Sequence, residues 1–223
     1  MLMNMKSLLA VANAHNFAVP AFNTPTGMMM RGILEASEEM NAPVIIEVHP
    51  DELALARPSF ITALVEEAHK AKVPVCIHMD HASTLDQIML AIQCGYTSVM
   101  IDASSKPFEE NVALTREVCR IAHAVDVSVE AELGTIGTTA QSMTTTSSTE
   151  IHYTEPEEAT RFVAETGVDT LAIAIGTCHG IYPKGMVPTL QIQRLKDIKK
   201  VVPIPLVLHG GSANKDEEIA EAA

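Results

Sequence analysis

The feature that most constrains the fold of this chain is a regular alternation of short β-branched runs with longer helical patterns. Strands that alternate with helices pair in parallel through right-handed crossovers, so the sequence predicts an α/β fold. The runs are also apolar on both faces, as a sheet covered by helices requires. The seven predicted strands are residues 17–22, 43–48, 73–79, 97–101, 127–131, 170–175 and 204–208.

The number and spacing of these units favour a TIM (β/α)8-type barrel over an open doubly wound sheet. The glycine-rich turn that a dinucleotide-binding sheet carries after its first strand is missing, although a doubly wound fold stays open as an alternative. The sequence stops inside the seventh helix, and an eighth strand is not present in it. We therefore expect residues 1–223 to form a single barrel domain that is incomplete at its C-terminal end.

Three predicted helices begin with capping-box patterns, at Thr84 with Gln87, at Thr154 with Glu157 and near Asn214 with Glu217. Before the helix at Thr154, residues 134–153 form a Thr/Ser-rich stretch that is poor in apolar residues and long for a connection between a strand and a helix. We expect this stretch to be a mobile lid or a disordered surface loop.

The charge balance excludes two kinds of partner. Lys and Arg number 15 and Asp and Glu number 28, which gives a net charge of −13. Such an acidic chain is expected to bind neither nucleic acid nor an anionic membrane surface. Its apolar runs are too short for a membrane-spanning helix, residues 1–6 do not resemble a signal peptide, and its four cysteines lack paired spacing. We expect a cytoplasmic protein with reduced thiols.

Histidines follow three of the predicted strands, as His81, His179 and His209. The carboxyl ends of barrel strands meet at one face, which is where the active sites of such barrels lie. Three neutral imidazoles with an open fourth position are typical of a catalytic zinc site. A lone histidine at a strand end is more often a hydrogen-bonded structural residue, and His78 is expected to pack inside the barrel.

Acidic residues occur near the same strand ends. Alternation along the third strand aims Asp80 inward at the rim, and the strand is expected to end there so that His81 turns over the mouth. Asp102 ends the fourth strand and Glu132 the fifth. A buried acidic side chain costs free energy unless it is paired. Glu132 is therefore expected either to bind a metal or support a metal ligand, or to form a hydrogen bond with a neighbouring histidine or the backbone.

Glycines offer a second kind of binding group. Gly210, Gly211 and Ser212 precede a predicted helix start, where backbone N–H groups without obstructing side chains can hold a phosphate. Gly176 and Gly180 lie on the preceding loop and extend this arrangement. An ordinary turn is the alternative interpretation of so short a motif.

These segments together resemble the class II, metal-dependent fructose- and tagatose-bisphosphate aldolases. The resemblance rests on residues 78–81 (HMDH), 129–134 (VEAELG), 171–180 (LAIAIGTCHG) and 207–212 (VLHGGS), with further support from 20–23 and 35–46. It implies a zinc-dependent lyase on a TIM barrel, dimeric or tetrameric. Such a lyase cleaves a ketose 1,6-bisphosphate reversibly to dihydroxyacetone phosphate and an aldehyde such as glyceraldehyde 3-phosphate.

The resemblance also implies roles for single residues. It makes His81, His179 and His209 the Zn²⁺ ligands and Asp80 the general acid/base at the C4 hydroxyl. It implies that the substrate or its phosphate, and in some cases a monovalent Na⁺ or K⁺, is bound by Asn23, Gly180, Gly210, Gly211 and Ser212. It also implies a second or displaced metal position at Asp102 and Glu132.

The chain departs from the family in two places within its length. The segment Thr138–Gln141 lacks the acid that relatives carry after the fifth strand, and His49 with Pro50 replaces a hydroxyl residue after the second. The alternatives are a metal-dependent hydrolase on a similar barrel and a non-catalytic phosphosugar-binding relative. A hydrolase usually needs a His-x-His on its first strand, which is missing here, and no lysine falls in a predicted strand to form a Schiff base.

Overall fold

The structure is a computed structural model that describes residues 1–138, 151–180, 182 and 188–223. Most of the predicted mobile loop, and most of Thr138–Gln141, lies outside these residues. The chain divides into two units, the first with residues 1–102 and 117–130 and the second with residues 103–116 and 131–223. The expectation of a single domain over 1–223 stays a prediction.

The first unit is built on parallel strands that follow one another in chain order. Its elements are α1 (Met5–His15), β1 (Ala21–Asn23), α2 (Gly27–Glu39), β2 (Val44–Val48), α3 (Pro50–Ala56), α4 (Pro58–Lys70), β3 (Val75–Ala82), α5 (Leu85–Cys94), β4 (Ser98–Ile101), the end of α6 (Phe108–His123) and the start of β5 (Ser128–Leu133). β2 and β3 are buried along their whole length, as strands with both faces covered must be.

Helix α1 is an element that the sequence analysis did not predict. It packs against Ile45 and Cys76, which lie opposite each other on β2 and β3. The helix side of this cluster consists of Met5, Leu8, Leu9 and Ala12. Because side chains two residues apart share a face of a strand, the face that α1 covers continues toward Glu47, His78 and Asp80. Helix α1 therefore covers one end of this face, and the polar residues lie at the other.

The second unit continues from β5 and carries two sets of parallel pairs. Leu171 of one strand lies opposite Leu206, and Gly137 of another lies opposite Cys178. Its elements are the start of α6, the end of β5, β6 (Gly137–Thr138), α7 (Pro156–Thr166), β7 (Thr170–Ile173), β8 (Cys178–His179), α8 (Ile192–Val201), β9 (Leu206–Val207), a 3₁₀ turn (Gly211–Ala213) and α9 (Asp216–Ala222). Within the described part of the chain, no helix has the length and apolar character needed to cross a membrane.

The predicted capping box at Thr154 is wrong. Helix α7 begins at Pro156 after Glu155, which makes no side-chain capping bond. Thr154 is fully buried, and its hydroxyl donates to the carbonyl of Leu133 and accepts from the N–H of Ala174 at 2.8 Å. Thr154 therefore joins the ends of β5 and β7 instead of capping a helix.

Candidate metal centre

Strand β3 carries one extra residue relative to β4, at the position of Asp80 and His81. The paired residues on either side are Met79 with Val99, then Ala82 with Ile101. Three steps along β3 thus match two along β4, which is the geometry of a β-bulge. His81 has a left-handed backbone, with φ at 47°, an uncommon conformation that a bulge can hold.

The bulge brings the side chains of Asp80 and His81 to one place. In a regular strand they would point to opposite faces, but Oδ1 of Asp80 lies 3.6 Å from Nε2 of His81. The expectation that the strand ends before His81 is wrong, because β3 continues to Ala82. The two side chains meet because the strand is irregular, and not because it stops.

His81 is oriented by Asp102, which follows β4. Nδ1 of His81 lies 3.0 Å from Oδ2 of Asp102. A carboxylate accepts the ring proton, so this bond places the proton on Nδ1 and the lone pair on Nε2. Metal-binding histidines commonly donate their second N–H to a carboxylate in this way. The geometry gives Asp102 an orienting role, and its part in a second metal position stays a prediction.

Asp80 is held by Asn23 at the end of β1. Nδ2 of Asn23 donates to Oδ2 of Asp80 at 2.9 Å, and Asp80 is only 6% exposed. Asn23 was expected to bind substrate, and in the structure its amide contacts the predicted general acid/base. Asn23 is therefore placed to fix the orientation of the Asp80 carboxylate.

His78 is a packed interior residue, as expected. Its ring is fully buried, with Nδ1 2.8 Å from Oγ of Ser98 and Nε2 3.6 Å from Oε2 of Glu130. One ligand-type atom each from Glu47, His78 and Asp80 lies within 4.8 Å of the others. The interior beside Asp80 is therefore lined by ionisable side chains.

In the second unit, the rings of His179 and His209 face each other edge to face. Their centroids lie 5.7 Å apart, and their planes are inclined at 62°. With Zn–N bonds of about 2 Å, two imidazoles on one tetrahedral ion have centres about 5 Å apart. The spacing of His179 and His209 therefore fits two rings that share an ion.

Gly210 allows this approach. Its φ is 68°, and a Cβ added there would lie 2.8 Å from the carbonyl oxygen of Cys178. Glycine adopts the left-handed conformation without a steric cost and leaves room for a neighbouring backbone. The segment after β9 can therefore lie directly against Cys178, the residue before His179.

We expect Gly210→Ala to weaken metal binding about tenfold and to lower the Tm, because the added methyl pushes the His209 segment away from Cys178. Gly167→Ala is the matched control, since Gly167 is also left-handed, at φ 72°, but has no atom within 4 Å of the added Cβ. The control is expected to lower only the Tm. Metal titration and thermal melting measure the two effects, and equal metal affinities in the two variants would contradict the role of the close approach.

The helix predicted to begin near Asn214 begins later. Gly211–Ala213 form a 3₁₀ turn, and α9 starts at Asp216 after Lys215, which makes no side-chain capping bond. The capping box predicted with Glu217 is therefore wrong, and the amide of Asn214 instead donates to Glu218 at 3.1 Å. Any phosphate contact at Gly180, Gly210 and Gly211 has to come from backbone N–H groups, and Ser212 can add its side-chain hydroxyl.

Glu132 is buried in the second unit and bonded to the backbone. Its Oε1 accepts from the N–H of Ile136 at 3.2 Å, and its carbonyl accepts from the amide of Asn111 at 2.9 Å. This agrees with the backbone-bonded interpretation of Glu132. The further assignment of Glu132 to a metal stays a prediction.

Cys178, beside His179, and a Schiff-base lysine would be alternative nucleophiles, and the described residues support neither. Burial raises the pKa of the Cys178 thiol, which favours its protonated, less nucleophilic form. The described lysines all lie in helices or in connecting segments, and Lys184 lies outside the described residues. The described chain therefore offers no strand lysine for a Schiff base.

Imidazoles and a buried carboxylate at the carboxyl ends of parallel strands are typical of one class of protein, the metal-dependent enzymes built on α/β barrels. Nitrogen donors oriented by a carboxylate fit a metal ion such as zinc. A sequence profile described as "Fructose-bisphosphate aldolase class-II" matches residues 3–223. The chain therefore belongs to the class II fructose-bisphosphate aldolase family, whose members are metal-dependent lyases.

Individual proteins that are similar to this chain are also aldolases. A fructose-bisphosphate aldolase of Giardia intestinalis is 41% identical over 216 residues, which are 95% of this chain and 66% of that protein. The crystal structure of the YdjI aldolase from Escherichia coli K12 is 36% identical, with a TM-score of 0.88, over 100% of this chain and 78% of that one. The fructose-bisphosphate aldolase of Campylobacter jejuni is 26% identical, with a TM-score of 0.79, over 99% and 73%.

These comparisons confirm the predicted fold class, an α/β fold of the TIM-barrel type. The chain spans about two thirds of the length of its Giardia relative. The activity of the full-length relatives is therefore a basis for a proposal about this chain.

Proposed function

We propose that this chain carries the active centre of a metal-dependent aldolase that reversibly cleaves a phosphorylated ketose to dihydroxyacetone phosphate and an aldehyde. The family match over residues 3–223 carries the proposal, because it includes every strand end at which a candidate residue lies. The substrate is of the fructose- or tagatose-1,6-bisphosphate type, and the aldehyde is glyceraldehyde 3-phosphate or a relative.

His81, His179 and His209 are proposed as the ligands of one Zn²⁺. Two observations support this: Asp102 orients the His81 ring, and the rings of His179 and His209 have the spacing of ligands to a common ion. When bound, the ion acts as a Lewis acid that stabilises negative charge on the substrate oxygens while the carbon–carbon bond breaks. Asp102 and Glu132 are the proposed second or displaced metal position.

Asp80 is proposed to take the proton from the C4 hydroxyl of the ketose, and to return it in the reverse reaction. A general base has to be held within hydrogen-bond reach of the proton that it removes. The bond from Asn23 to Oδ2 restricts rotation of the Asp80 carboxylate, and the near absence of solvent exposure keeps competing water away. Asn23 is also the proposed contact to the substrate.

Backbone groups are proposed to bind the phosphate of the ketose, at Gly180, Gly210, Gly211 and Ser212. Successive backbone N–H groups in turns form anion-binding concavities, so the phosphate can be bound without a lysine or arginine. A monovalent Na⁺ or K⁺ is proposed beside the phosphate. A local site of this kind allows a chain with a net charge of −13 to bind an anion.

The protein is proposed to work in the cytoplasm as a homodimer or homotetramer, without nucleic-acid or membrane partners. Its four cysteines are free thiols, which is typical of a reducing compartment. The partner that the reaction requires is the small phosphosugar substrate.

We expect the zinc-loaded protein to release dihydroxyacetone phosphate from fructose 1,6-bisphosphate, tagatose 1,6-bisphosphate or fructose 1-phosphate. A coupled assay that reduces the released triose phosphate with NADH measures the reaction. A chelator should abolish the activity and added Zn²⁺ should restore it. Release of inorganic phosphate would identify a hydrolase instead, and binding of the sugars without turnover would identify a non-catalytic relative.

A further inference from the structure

The proposed metal ligand His179 lies in a segment whose own residues do little to fix its backbone. Strand β8 contains only Cys178 and His179, and it pairs with β6, which also has two residues. Glycines with positive φ lie on both sides of β8, Gly176 at 122° and Gly180 at 91°. Because glycine has more conformational freedom than any other residue, His179 needs contacts from outside β8 to hold its position.

Tyr182 supplies such a contact, four residues beyond Cys178. Its hydroxyl oxygen accepts a hydrogen bond from the backbone N–H of Cys178 at 2.5 Å. Burial raises the pKa of the Cys178 thiol, and a hydrogen bond from the Tyr182 hydroxyl opposes that rise. The Tyr182 hydroxyl therefore accepts from the backbone of Cys178 and donates to its side chain, which uses both hydrogen-bonding functions of the phenol.

The other end of Cys178 contacts the segment after β9. A Cβ added to Gly210 would lie 2.8 Å from the carbonyl oxygen of Cys178 and 3.4 Å from the backbone nitrogen of His179. Cys178 is thus held at its N–H by Tyr182 and at its carbonyl by Gly210. Because Cys178 and His179 share a peptide bond, contacts that fix Cys178 also fix the direction in which the His179 side chain leaves the backbone.

The bond between Cys178 and Tyr182 also encloses Gly180. This hydrogen bond closes a loop of residues 178–182, and His179 and Gly180 lie within the loop. Backbone N–H groups bind an anion well only when the turn holds them in a fixed direction. One side-chain hydroxyl therefore restricts both the proposed metal ligand and a glycine that is proposed to bind phosphate.

We propose that Tyr182 is a positioning residue that couples the metal site to the phosphate site, because it holds His179 and Gly180 in one arrangement through the backbone of Cys178. The inference rests on the proposed aldolase function, which assigns zinc to His179 and the ketose phosphate to Gly180. Tyr182 is not assigned a catalytic role, since Cys178 uses both hydrogen-bonding functions of its hydroxyl.

The test replaces Tyr182 by phenylalanine, which keeps the ring and removes only the hydroxyl. The loss of one hydrogen bond changes an equilibrium constant about 3- to 10-fold. When the metal-free protein is titrated with Zn²⁺ against a chromogenic chelator, Tyr182→Phe should bind zinc more weakly than the wild type by this factor. At saturating Zn²⁺, the KM for fructose 1,6-bisphosphate should rise by a similar factor with kcat nearly unchanged, because a less ordered Gly180 weakens binding of ground state and transition state alike.

Tyr153→Phe is the matched control, because Tyr153 is an exposed tyrosine of the same unit. The variant loses a hydroxyl but keeps the ring that lies 5.2 Å from the guanidinium carbon of Arg194, so zinc affinity and KM should stay unchanged. A Tyr182→Phe variant that lowers only the Tm, or that changes only one of zinc affinity and KM, would contradict the coupling. A wild type that binds zinc but cleaves no ketose would instead contradict the proposed function, and the zinc titration would still decide whether Tyr182 positions His179.

Discussion

Replacing Asp80 by asparagine is expected to lower the rate of ketose cleavage by about 10²- to 10⁴-fold while leaving the zinc content unchanged. Asparagine has nearly the same size and can still accept a hydrogen bond from Asn23, but it cannot take a proton from the C4 hydroxyl. The carboxylate is buried and its Oδ2 accepts a hydrogen bond from Asn23 at 2.9 Å, so bulk solvent has little access to act as the base in its place. The loss should therefore fall on kcat more than on KM.

The measurement is steady-state kinetics together with zinc per protein chain. Asp86→Asn is the control, because Asp86 is an exposed carboxylate in the first turn of α5 and makes no proposed contact to substrate. The control should keep the wild-type rate. Near-normal turnover by Asp80→Asn would remove Asp80 from the mechanism, and a parallel loss of zinc would mean that it supports the metal.

Replacing His209 by alanine is expected to reduce zinc affinity by at least about 100-fold. Removing a residue that only orients a ligand commonly costs 10- to 100-fold, so the loss of a ligand itself should cost no less. The ring of His209 is mostly buried and lies 5.7 Å from that of His179, which is the spacing expected for two ligands of one ion. Cleavage should fall with the zinc content.

Zinc stoichiometry after dialysis and competition titration with a chromogenic chelator measure this loss. His69→Ala is the control, because His69 is exposed on α4 and should leave zinc binding unchanged. Excess Zn²⁺ should restore part of the activity of His209→Ala. An unchanged stoichiometry in His209→Ala would show that His209 is not a ligand.

The strands show how far local sequence patterns predict this fold. The predicted run 97–101 corresponds to Ser98–Ile101, and 43–48 corresponds to Val44–Val48. The first strand is less accurate, since 17–22 was predicted and Ala21–Asn23 is observed, with all of its residues exposed. Buried strands are specified by their own apolar residues, whereas a short exposed strand depends on its neighbour for pairing.

The two unpredicted helices have different causes. Helix α1 has a readable signal, because Asn4 caps it and Met5, Leu8, Leu9 and Ala12 recur at helical spacing. Helix α3 begins with a capping box in which His49 takes the place of the usual serine or threonine. Helix α1 could have been predicted from the periodicity of its apolar residues, whereas helix α3 could be recognised only from the hydrogen bonds in the structure.

The amino-acid sequence alone determined the order of strands and helices, and which strand ends carry histidines, acids and glycines. Those features depend on residues close together in the chain, and they were sufficient to identify the family. The tertiary structure alone decided that Asp80 and His81 lie side by side, because the bulge in β3 arises from its register with β4, about twenty residues away. In the same way, the pairing of His81 with Asp102 and the contact of Gly210 with Cys178 join residues that no local pattern relates.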